Sequence, residues 1–264
     1  MTCLIRAFIL SAWLASALTV CRDQHAQSSA PQAWTATGTL AADEAFQAAA
    51  ADEKFVYAIT NSQVAKYDRL TKKRVAVSTG EAKHLNSGFL HGGKLYCAHS
   101  NYPQTPERSE IMVLDLETMK LSTFKDFGNF GGSLTWAVYH DDHWWCNFAR
   151  YRDDNKQTFL VKFEPEWKEK ARWTYPAEVI RELGRNSLSG GIWRDGELLV
   201  TGHDDPVLFQ IRLPKKGSVL ELVGKQSIPF TGQGIAHDPK TGGLVGINRA
   251  KRQVVFASSN AVGP

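Results

Sequence analysis

The sequence is poor in cysteine, in long apolar runs and in charge of one sign. It contains 264 residues, of which only four are cysteines, and its 31 basic and 27 acidic side chains leave a net charge of +4. Such a mild charge argues against a dedicated nucleic-acid-binding protein, which concentrates basic residues on one face. No run of roughly 18 apolar residues occurs, so no membrane span is predicted. With 43% hydrophobic residues, the composition is that of a folded chain and not of a disordered one.

Helical periodicity is scarce as well. One short segment, from Pro176 to Gly184, has proline at its start and glycine at its end, as a small helix does. Elsewhere short apolar runs are interrupted by glycine, asparagine and aspartate, which is typical of strands. The sequence therefore predicts an all-β fold.

The N-terminal segment has the pattern of an export signal. An apolar stretch at 7–20 follows Arg6, and the small residues at 15–17 offer a cleavage site. Residues 18–21 resemble a bacterial lipoprotein box with valine in place of a small residue, so a lipid anchor at Cys21 is an alternative. A buried N-terminal helix is a further alternative, but a polar stretch follows. We predict a secreted or periplasmic protein.

Removal of such a leader would leave two cysteines, Cys97 and Cys146. One disulfide between them would be compatible with an oxidising compartment. Both lie inside aromatic, strand-like segments, however, which favours two buried free thiols.

A strand–turn–strand pattern recurs five times along the chain. Each unit opens with a small polar residue followed by glycine, alanine or tryptophan and then by apolar residues, and each continues into a tight turn and further strands. The openings are 40 to 54 residues apart, at Gln47, Ser87, Thr135, Ser189 and Gln233. Four-stranded repeats of this length are typical of propeller blades. The alternative is an irregular β-sandwich, which does not predict that the same strand–turn–strand pattern recurs five times.

The fifth unit ends after its third strand, and a matching strand lies near the start of the chain, at 34–40. We therefore predict a five-bladed β-propeller over 34–264, with its last blade closed by the N-terminal strand. A signal peptide at 1–21 and a linker at 22–33 complete the predicted organisation.

Loops on one face of such a propeller are the expected place for a site. Loops leading into the inner strands, and loops between second and third strands, open on the same face, where side chains from every blade converge. These loops are rich in amides, hydroxyls, histidine and arginine, which suits a small polar or anionic ligand. Predicted ligand-binding residues are Gln47, Asn86, His99, Asn101, Tyr102, Trp136, Arg150, Tyr151, Gln233 and Asn248.

Three further residues are predicted to be catalytic: His84, His203 and Asp204. Histidine moves protons near neutral pH, and Asp204 or Asp205 could orient or activate a histidine. Three other histidines fall at the opposite end of the inner strands and are predicted to be turn residues: His91, His140 and His237.

Each of these assignments has a structural alternative. Asp204 and Asp205 could cap a turn before Pro206. Gln47, Asn86 and Gln233 could form a structural hydrogen-bond ring. No cofactor is predicted, and a divalent metal held by His203 with an aspartate is an alternative for which no His-x-x-x-His spacing is present.

Three segments, 86–96, 112–121 and 231–235, resemble the blades of glutamine cyclotransferase-like five-bladed propellers. The shared features are a Gln-Gly-type inner strand, a Gly-x-Leu-Tyr strand and an Asp-x-x-Thr turn. The resemblance implies that fold over most of the chain. The proton-transferring glutamate of that family is replaced here by Ser87, Thr135 and Ser189, which argues against glutaminyl cyclisation. The whole sequence also resembles secreted bacterial propellers labelled cycloisomerases.

The predicted function is an extracytoplasmic enzyme of the cyclase, isomerase or lyase type, acting as a monomer on a small molecule. His84 or His203 would move the proton, and Arg150 would hold a carboxylate or developing oxyanion. The alternative is a non-catalytic propeller that binds a small ligand or a partner protein. A glycosidase is a weaker third option, because the inner strands lack the carboxylate pair that such enzymes need.

Overall fold

The structure is a computed structural model that describes residues 33–259. The predicted leader at 1–21, Cys21 and nearly all of the predicted linker lie outside these residues. Within them, twenty strands form five four-stranded antiparallel sheets arranged in a ring. This confirms the predicted all-β, five-bladed propeller.

The strands follow one another along the chain as four per blade. The first ten are β1 (Trp34–Ala41), β2 (Ala48–Ala51), β3 (Phe55–Ile59), β4 (Val64–Asp68), β5 (Arg74–Val77), β6 (Leu85–His91), β7 (Lys94–Ser100), β8 (Ser109–Asp115), β9 (Leu121–Gly128) and β10 (Ser133–His140). The second ten are β11 (His143–Ala149), β12 (Phe159–Phe163), β13 (Glu169–Thr174), β14 (Gly190–Arg194), β15 (Glu197–Thr201), β16 (Val207–Arg212), β17 (Glu221–Ser227), β18 (Ala236–Asp238), β19 (Gly243–Asn248) and β20 (Gln253–Ser259).

Blades 1 to 4 consist of β2–β5, β6–β9, β10–β13 and β14–β17, in chain order. Blade 5 has the order β18–β19–β20–β1, so its outermost strand comes from the start of the described chain. Along this pair, Trp34 lies opposite Ser259 and Ala41 lies opposite Gln253. The predicted closure of the last blade by the N-terminal strand is thus confirmed.

Helical structure is confined to two short segments. Helix α1 spans Ala177–Glu182, inside the segment predicted to be helical, and a 3-10 helix spans Arg152–Gln157. No helix in the described part of the chain is both long and apolar enough to cross a membrane.

The core is divided between the blades, because each sheet buries its faces against its neighbours. Four separate clusters of buried apolar side chains fill these interfaces. Close packing is visible at Gly191 of β14, where an added Cβ would come within 2.5 Å of the Trp136 indole of blade 3. Cys97 and Cys146 are both buried and unpaired, as predicted. Burial raises the pKa of Cys97 to about 12.

Candidate functional site

One cavity draws its lining from all five blades. It has a volume of about 410 Å3, and we refer to it as the five-blade cavity. Its lining residues come from loops that lead into the inner strands or join the second and third strands of each blade. They are Phe46, Gln47, Asn61, His84, Asn86, Tyr102, Tyr151, Arg152, Arg185, Asn186, Ser189, His203, Gln233 and Arg249. The topology therefore brings together side chains that are up to 203 residues apart in the sequence.

The charged groups of this lining are all basic. Arg152, Arg185 and Arg249 contribute guanidinium groups, and no carboxylate is among the fourteen lining residues. Arg152 forms no ion pair within residues 33–259, whereas Arg185 lies 3.6 Å from the highly exposed Asp153. A concave site with several guanidinium groups attracts anions, above all carboxylates and phosphates.

His203 is held by an acidic neighbour at the edge of the five-blade cavity. Its Nδ1 lies 2.6 Å from Oδ2 of Asp204, and the other carboxylate oxygen of Asp204 lies 3.6 Å from Arg249. A hydrogen bond at Nδ1 leaves Nε2 as the ring nitrogen available to a ligand. This is the arrangement in which an aspartate fixes the tautomer and orientation of a histidine base.

His84 is the second histidine of the lining, and it has a different environment. Its ring packs against Tyr102 with a centroid distance of 5.3 Å. Burial lowers the pKa of His84, and nearby positive charge from His99, Arg249 and His203 lowers it further. The imidazole of His84 is consequently neutral near pH 7 and able to accept a proton.

The backbone around Gln233 fixes part of the cavity wall. Gln233 has a φ of 96°, in the left-handed region that residues other than glycine rarely occupy. Its N–H donates to the carbonyl of Gly202 over 2.8 Å, and its side-chain amide donates to the carbonyl of His203. These bonds hold the conformation and tie the inner-strand loop of blade 5 to the His203 loop of blade 4.

Seven of the predicted site residues line this cavity. They are Gln47, His84, Asn86, Tyr102, Tyr151, His203 and Gln233. Asp204 contacts His203 but does not line this cavity; it lines a separate cavity of about 210 Å3, which His203 also borders. Gln47, Asn86 and Gln233 bond to Asn61, to backbone carbonyls of His84 and Leu134, and to the carbonyl of His203, respectively. These three amides make no hydrogen bond to one another, so the alternative of a closed side-chain ring is not seen among the described residues.

Two further predicted residues, His99 and Asn101, lie in a neighbouring cavity of about 520 Å3 between blades 1 and 2. Both ring nitrogens of His99 are already engaged. Nε2 accepts a hydrogen bond from the Lys83 N–H over 2.9 Å, and Nδ1 lies 3.0 Å from Glu110. His99 therefore has a structural role at the base of the loops.

The structure places the remaining three predicted residues outside both cavities. Trp136 is wholly buried between blades 3 and 4, in a bulged part of β10. The Arg150 guanidinium lies 3.7 Å from Glu107, on the neighbouring loop of blade 2. Asn248 accepts a hydrogen bond from the Lys251 N–H, as a turn residue does. The arginines that line the five-blade cavity are Arg152, Arg185 and Arg249, and not Arg150.

The other seven lining residues were not among the predicted site residues, and Phe46 and Arg152 are two of them. Arg152 has a φ of 60°, and its N–H donates to the carbonyl of Arg185 over 2.9 Å at the start of the 3-10 helix. The positive charge of Arg152 next to the predicted Tyr151 is the only sequence signal that could have suggested it. Phe46 packs under Arg249, whose guanidinium lies 4.1 Å from the ring centroid.

The turn histidines lie elsewhere. His91, His140 and His237 are on or at the ends of inner strands, and none lines the five-blade cavity. His237 donates from Nε2 to the carbonyl of Trp193 over 2.8 Å. Within residues 33–259, no group of three or more histidine, cysteine, aspartate or glutamate side chains is placed to hold a metal ion.

Comparison with known proteins adds a likeness of fold. Neither a protein-family model nor a curated protein sequence matches this chain. Among solved structures, a glutaminyl cyclase from Myxococcus xanthus superposes with a TM-score of 0.61 at 11% identity, covering 88% of this chain and 98% of that one.

Two other solved structures are more distant. The Cps50 (Swd1) β-propeller domain of Myceliophteria thermophila has 11% identity and a TM-score of 0.48, covering 85% of this chain and 99% of that one. A chain of a mitotic checkpoint complex has 11% identity and a TM-score of 0.45, covering 96% and 99%. Both superpose too loosely to add to the argument. The chain is thus a five-bladed β-propeller that is similar in fold to a glutaminyl cyclase.

Proposed function

We propose that this protein is an extracytoplasmic enzyme of the cyclase, isomerase or lyase type that binds a small polar or anionic molecule in the five-blade cavity, at the propeller axis. The observation that carries the proposal is the hydrogen bond between His203 and Asp204, because His203 belongs to a lining with three arginines and no carboxylate. A base of this kind beside guanidinium groups suits reactions that move a proton next to an anionic or carbonyl group.

Each residue has a distinct part in this chemistry. Asp204 accepts the hydrogen bond from Nδ1 of His203, so Nε2 of His203 is the atom that takes or returns the proton. His84, kept neutral by burial, is a second proton acceptor on another part of the wall. Arg152, Arg185 and Arg249 bind the anionic group of the substrate and stabilise negative charge that develops on it.

The likeness to a glutaminyl cyclase supports the propeller scaffold and is compatible with a cyclase-type reaction. The chemistry in this chain would have to differ, because Ser87, Thr135 and Ser189 stand where the resemblance places a proton-transferring glutamate, and the titratable side chains of the lining that remain are histidines, tyrosines and arginines. The lack of a lining carboxylate also argues against a glycosidase, which requires two carboxyl groups at the scissile bond.

The proposed extracytoplasmic location depends on the sequence pattern of residues 1–21. Expression of the full chain in a bacterium, followed by fractionation and N-terminal sequencing, tests it. We expect mature protein in the periplasm or medium that begins near residue 18, or at a lipid-modified Cys21. Full-length protein retained in the cytoplasm would contradict this location without affecting the proposed site.

Catalysis is tested by incubating the protein with a panel of small polar and anionic metabolites and detecting new products by mass spectrometry. We expect His203→Gln to lower turnover by at least about 100-fold, the usual contribution of a positioned general base, with little change in Tm. His91→Gln is the matched control, because His91 is an exposed histidine at the far end of an inner strand. It should retain full turnover.

Two results would contradict the enzyme proposal. One is turnover that is unaffected by His203→Gln. The other is saturable binding of a panel compound that is never chemically changed, which would favour the non-catalytic binding propeller.

A further inference from the structure

The wall of the five-blade cavity on the side of blades 2 and 3 is a row of rings. Tyr102 stands between the other two, with centroid distances of 5.3 Å to His84 and 5.0 Å to Tyr151. The three rings come from three different loops, so the row is produced by the ring of blades and not by a local sequence motif.

Tyr102 is unusually exposed for an aromatic residue. Six large apolar or aromatic side chains are strongly exposed within residues 33–259: Leu70, Val75, Tyr102, Phe124, Val219 and Val223. Tyr102 is the only one of these six that lines the five-blade cavity, and it is 42% exposed. An aromatic surface left open inside a concave site is available to a ligand, since a ring gains more from stacking than an aliphatic group does.

The other aromatic ring of the lining is already covered. The guanidinium groups of Arg249 and Arg252 lie 4.1 Å and 4.5 Å from the centroid of Phe46. The open aromatic surface of the cavity is therefore the row that contains Tyr102.

Two arginines of the lining lie close to this row along the backbone. Arg152 follows Tyr151 directly in the chain, and its N–H is bonded to the carbonyl of Arg185. The three rings and the two arginines thus line one cavity of about 410 Å3, which is large enough for a small ring with an acidic substituent.

We propose that the ligand of the five-blade cavity is a small aromatic acid, with its planar ring against Tyr102 and Tyr151 and its carboxylate at Arg152 and Arg185. This rests on the proposed function and names the substrate class of the same site. It predicts a preference for an aromatic over a saturated ring, and for a charged over an uncharged substituent.

Three probes of nearly equal size separate these two preferences. Benzoate and cyclohexanecarboxylate have the same charge and differ in the ring, whereas benzamide keeps the ring and lacks the charge. Binding of each is measured by titration calorimetry or by ligand-detected NMR. We expect benzoate to bind about three- to tenfold more tightly than cyclohexanecarboxylate. We expect it to bind at least about tenfold more tightly than benzamide.

Single substitutions show which lining residues produce each of the two preferences. Tyr102→Leu should remove the preference for benzoate over cyclohexanecarboxylate and keep the preference over benzamide. Arg185→Gln should weaken the preference over benzamide and keep the ring preference. Phe124→Leu is the matched control, because Phe124 is also 42% exposed but lies outside the cavity. It should leave all three affinities unchanged.

Equal affinity for benzoate and cyclohexanecarboxylate, or no benzoate binding at about 10 mM, overturns the proposal. The proposed function can survive that result, since a non-aromatic acid converted in a His203-dependent reaction would keep the enzyme and exclude the aromatic class. Conversely, Tyr102-dependent benzoate binding without turnover of any panel compound would support the ligand class and contradict the enzyme.

Discussion

His237 shows how partial burial changes a histidine outside the site, since its side chain still has substantial contact with solvent. The side chain lies between blades 4 and 5 and donates to the carbonyl of Trp193. Burial lowers the pKa of His237, and the hydrogen bond only partly offsets this. The native state therefore holds His237 neutral at a pH at which an unfolded chain, with a histidine pKa near 6.5, binds a proton.

The direction in which stability changes with pH follows from the number of protons that the native and unfolded states bind. Because the unfolded state binds more protons, the contribution of His237 to stability is present above about pH 6.5 and is lost as the pH falls below it. We expect the Tm of the wild type to decrease between about pH 7.5 and 5.5, and His237→Gln to reduce that decrease. His91→Gln is the control, because His91 makes no side-chain hydrogen bond within residues 33–259, and it should leave the slope unchanged. Identical slopes for the wild type and His237→Gln would contradict the account.

The position of single side chains explains what the sequence could and could not predict about the site. Seven lining residues were predicted, because strand alternation and repeat spacing place their loops on one face. Arg150 was predicted as a site residue, whereas Arg152, two residues further along the same loop, was not. The choice between them is made by the positive φ of Arg152 and its bond to Arg185, which no periodicity encodes. Trp136 was misplaced in the same way, because a bulge in β10 turns its ring into the interface between blades.

Inner strands are the elements on which the ring depends, because they pack against one another at close range. Gly191 of β14 lies against the indole of Trp136 in β10, and an added methyl group would meet three indole carbons at 2.5 to 2.7 Å. These carbons belong to a rigid, fully buried ring and cannot move aside without disturbing blade 3.

Gly191→Ala is expected to destabilise the protein by about 1–3 kcal/mol, the usual cost of overpacking. The measurement is urea unfolding followed by tryptophan fluorescence. Gly38→Ala is the matched control, because its nearest neighbour is a Phe256 side-chain carbon at 4.0 Å. Equal stability of the two variants would show that the blade interface is looser than described.

Strand elements themselves were well predicted from the sequence. Short apolar runs bounded by glycine and aspartate correctly indicated the second and third strands of each blade, and Pro176 and Gly184 correctly bounded α1. The outermost strands were harder to predict, because most face solvent on one side and carry few apolar residues, as β17 does. The pairing of these outermost strands depends on the arrangement of the blades in the ring and not on a local sequence pattern.

At the scale of the whole molecule, the ring is closed by β1. This strand joins the start of the described chain to its end through β20. Trp34 adds a link to blade 4, since its Nε1 donates to Gln226 over 2.7 Å and the Arg194 guanidinium lies 5.2 Å from its ring. One buried side chain therefore connects both ends of the described chain to a neighbouring blade.

Trp34→Ala should destabilise the whole protein by about 3–5 kcal/mol, because it leaves a cavity at the closure. Trp34→Phe keeps most of the packing and loses the hydrogen bond, so we expect a smaller loss of about 1–2 kcal/mol. Both are measured by urea unfolding monitored by circular dichroism. A change below 1 kcal/mol in Trp34→Ala would mean that the closure contributes little to the stability of the ring.

The five-blade cavity is the proposed place where this propeller binds and converts its ligand. The most direct measurement is a crystal structure of the protein with a turnover substrate or its product bound. We expect the anionic group within hydrogen-bond distance of Arg152, Arg185 or Arg249, and the reacting atom about 3 Å from Nε2 of His203. A ligand found instead in the cavity between blades 1 and 2, or on the outer surface of the ring, would contradict the central claim.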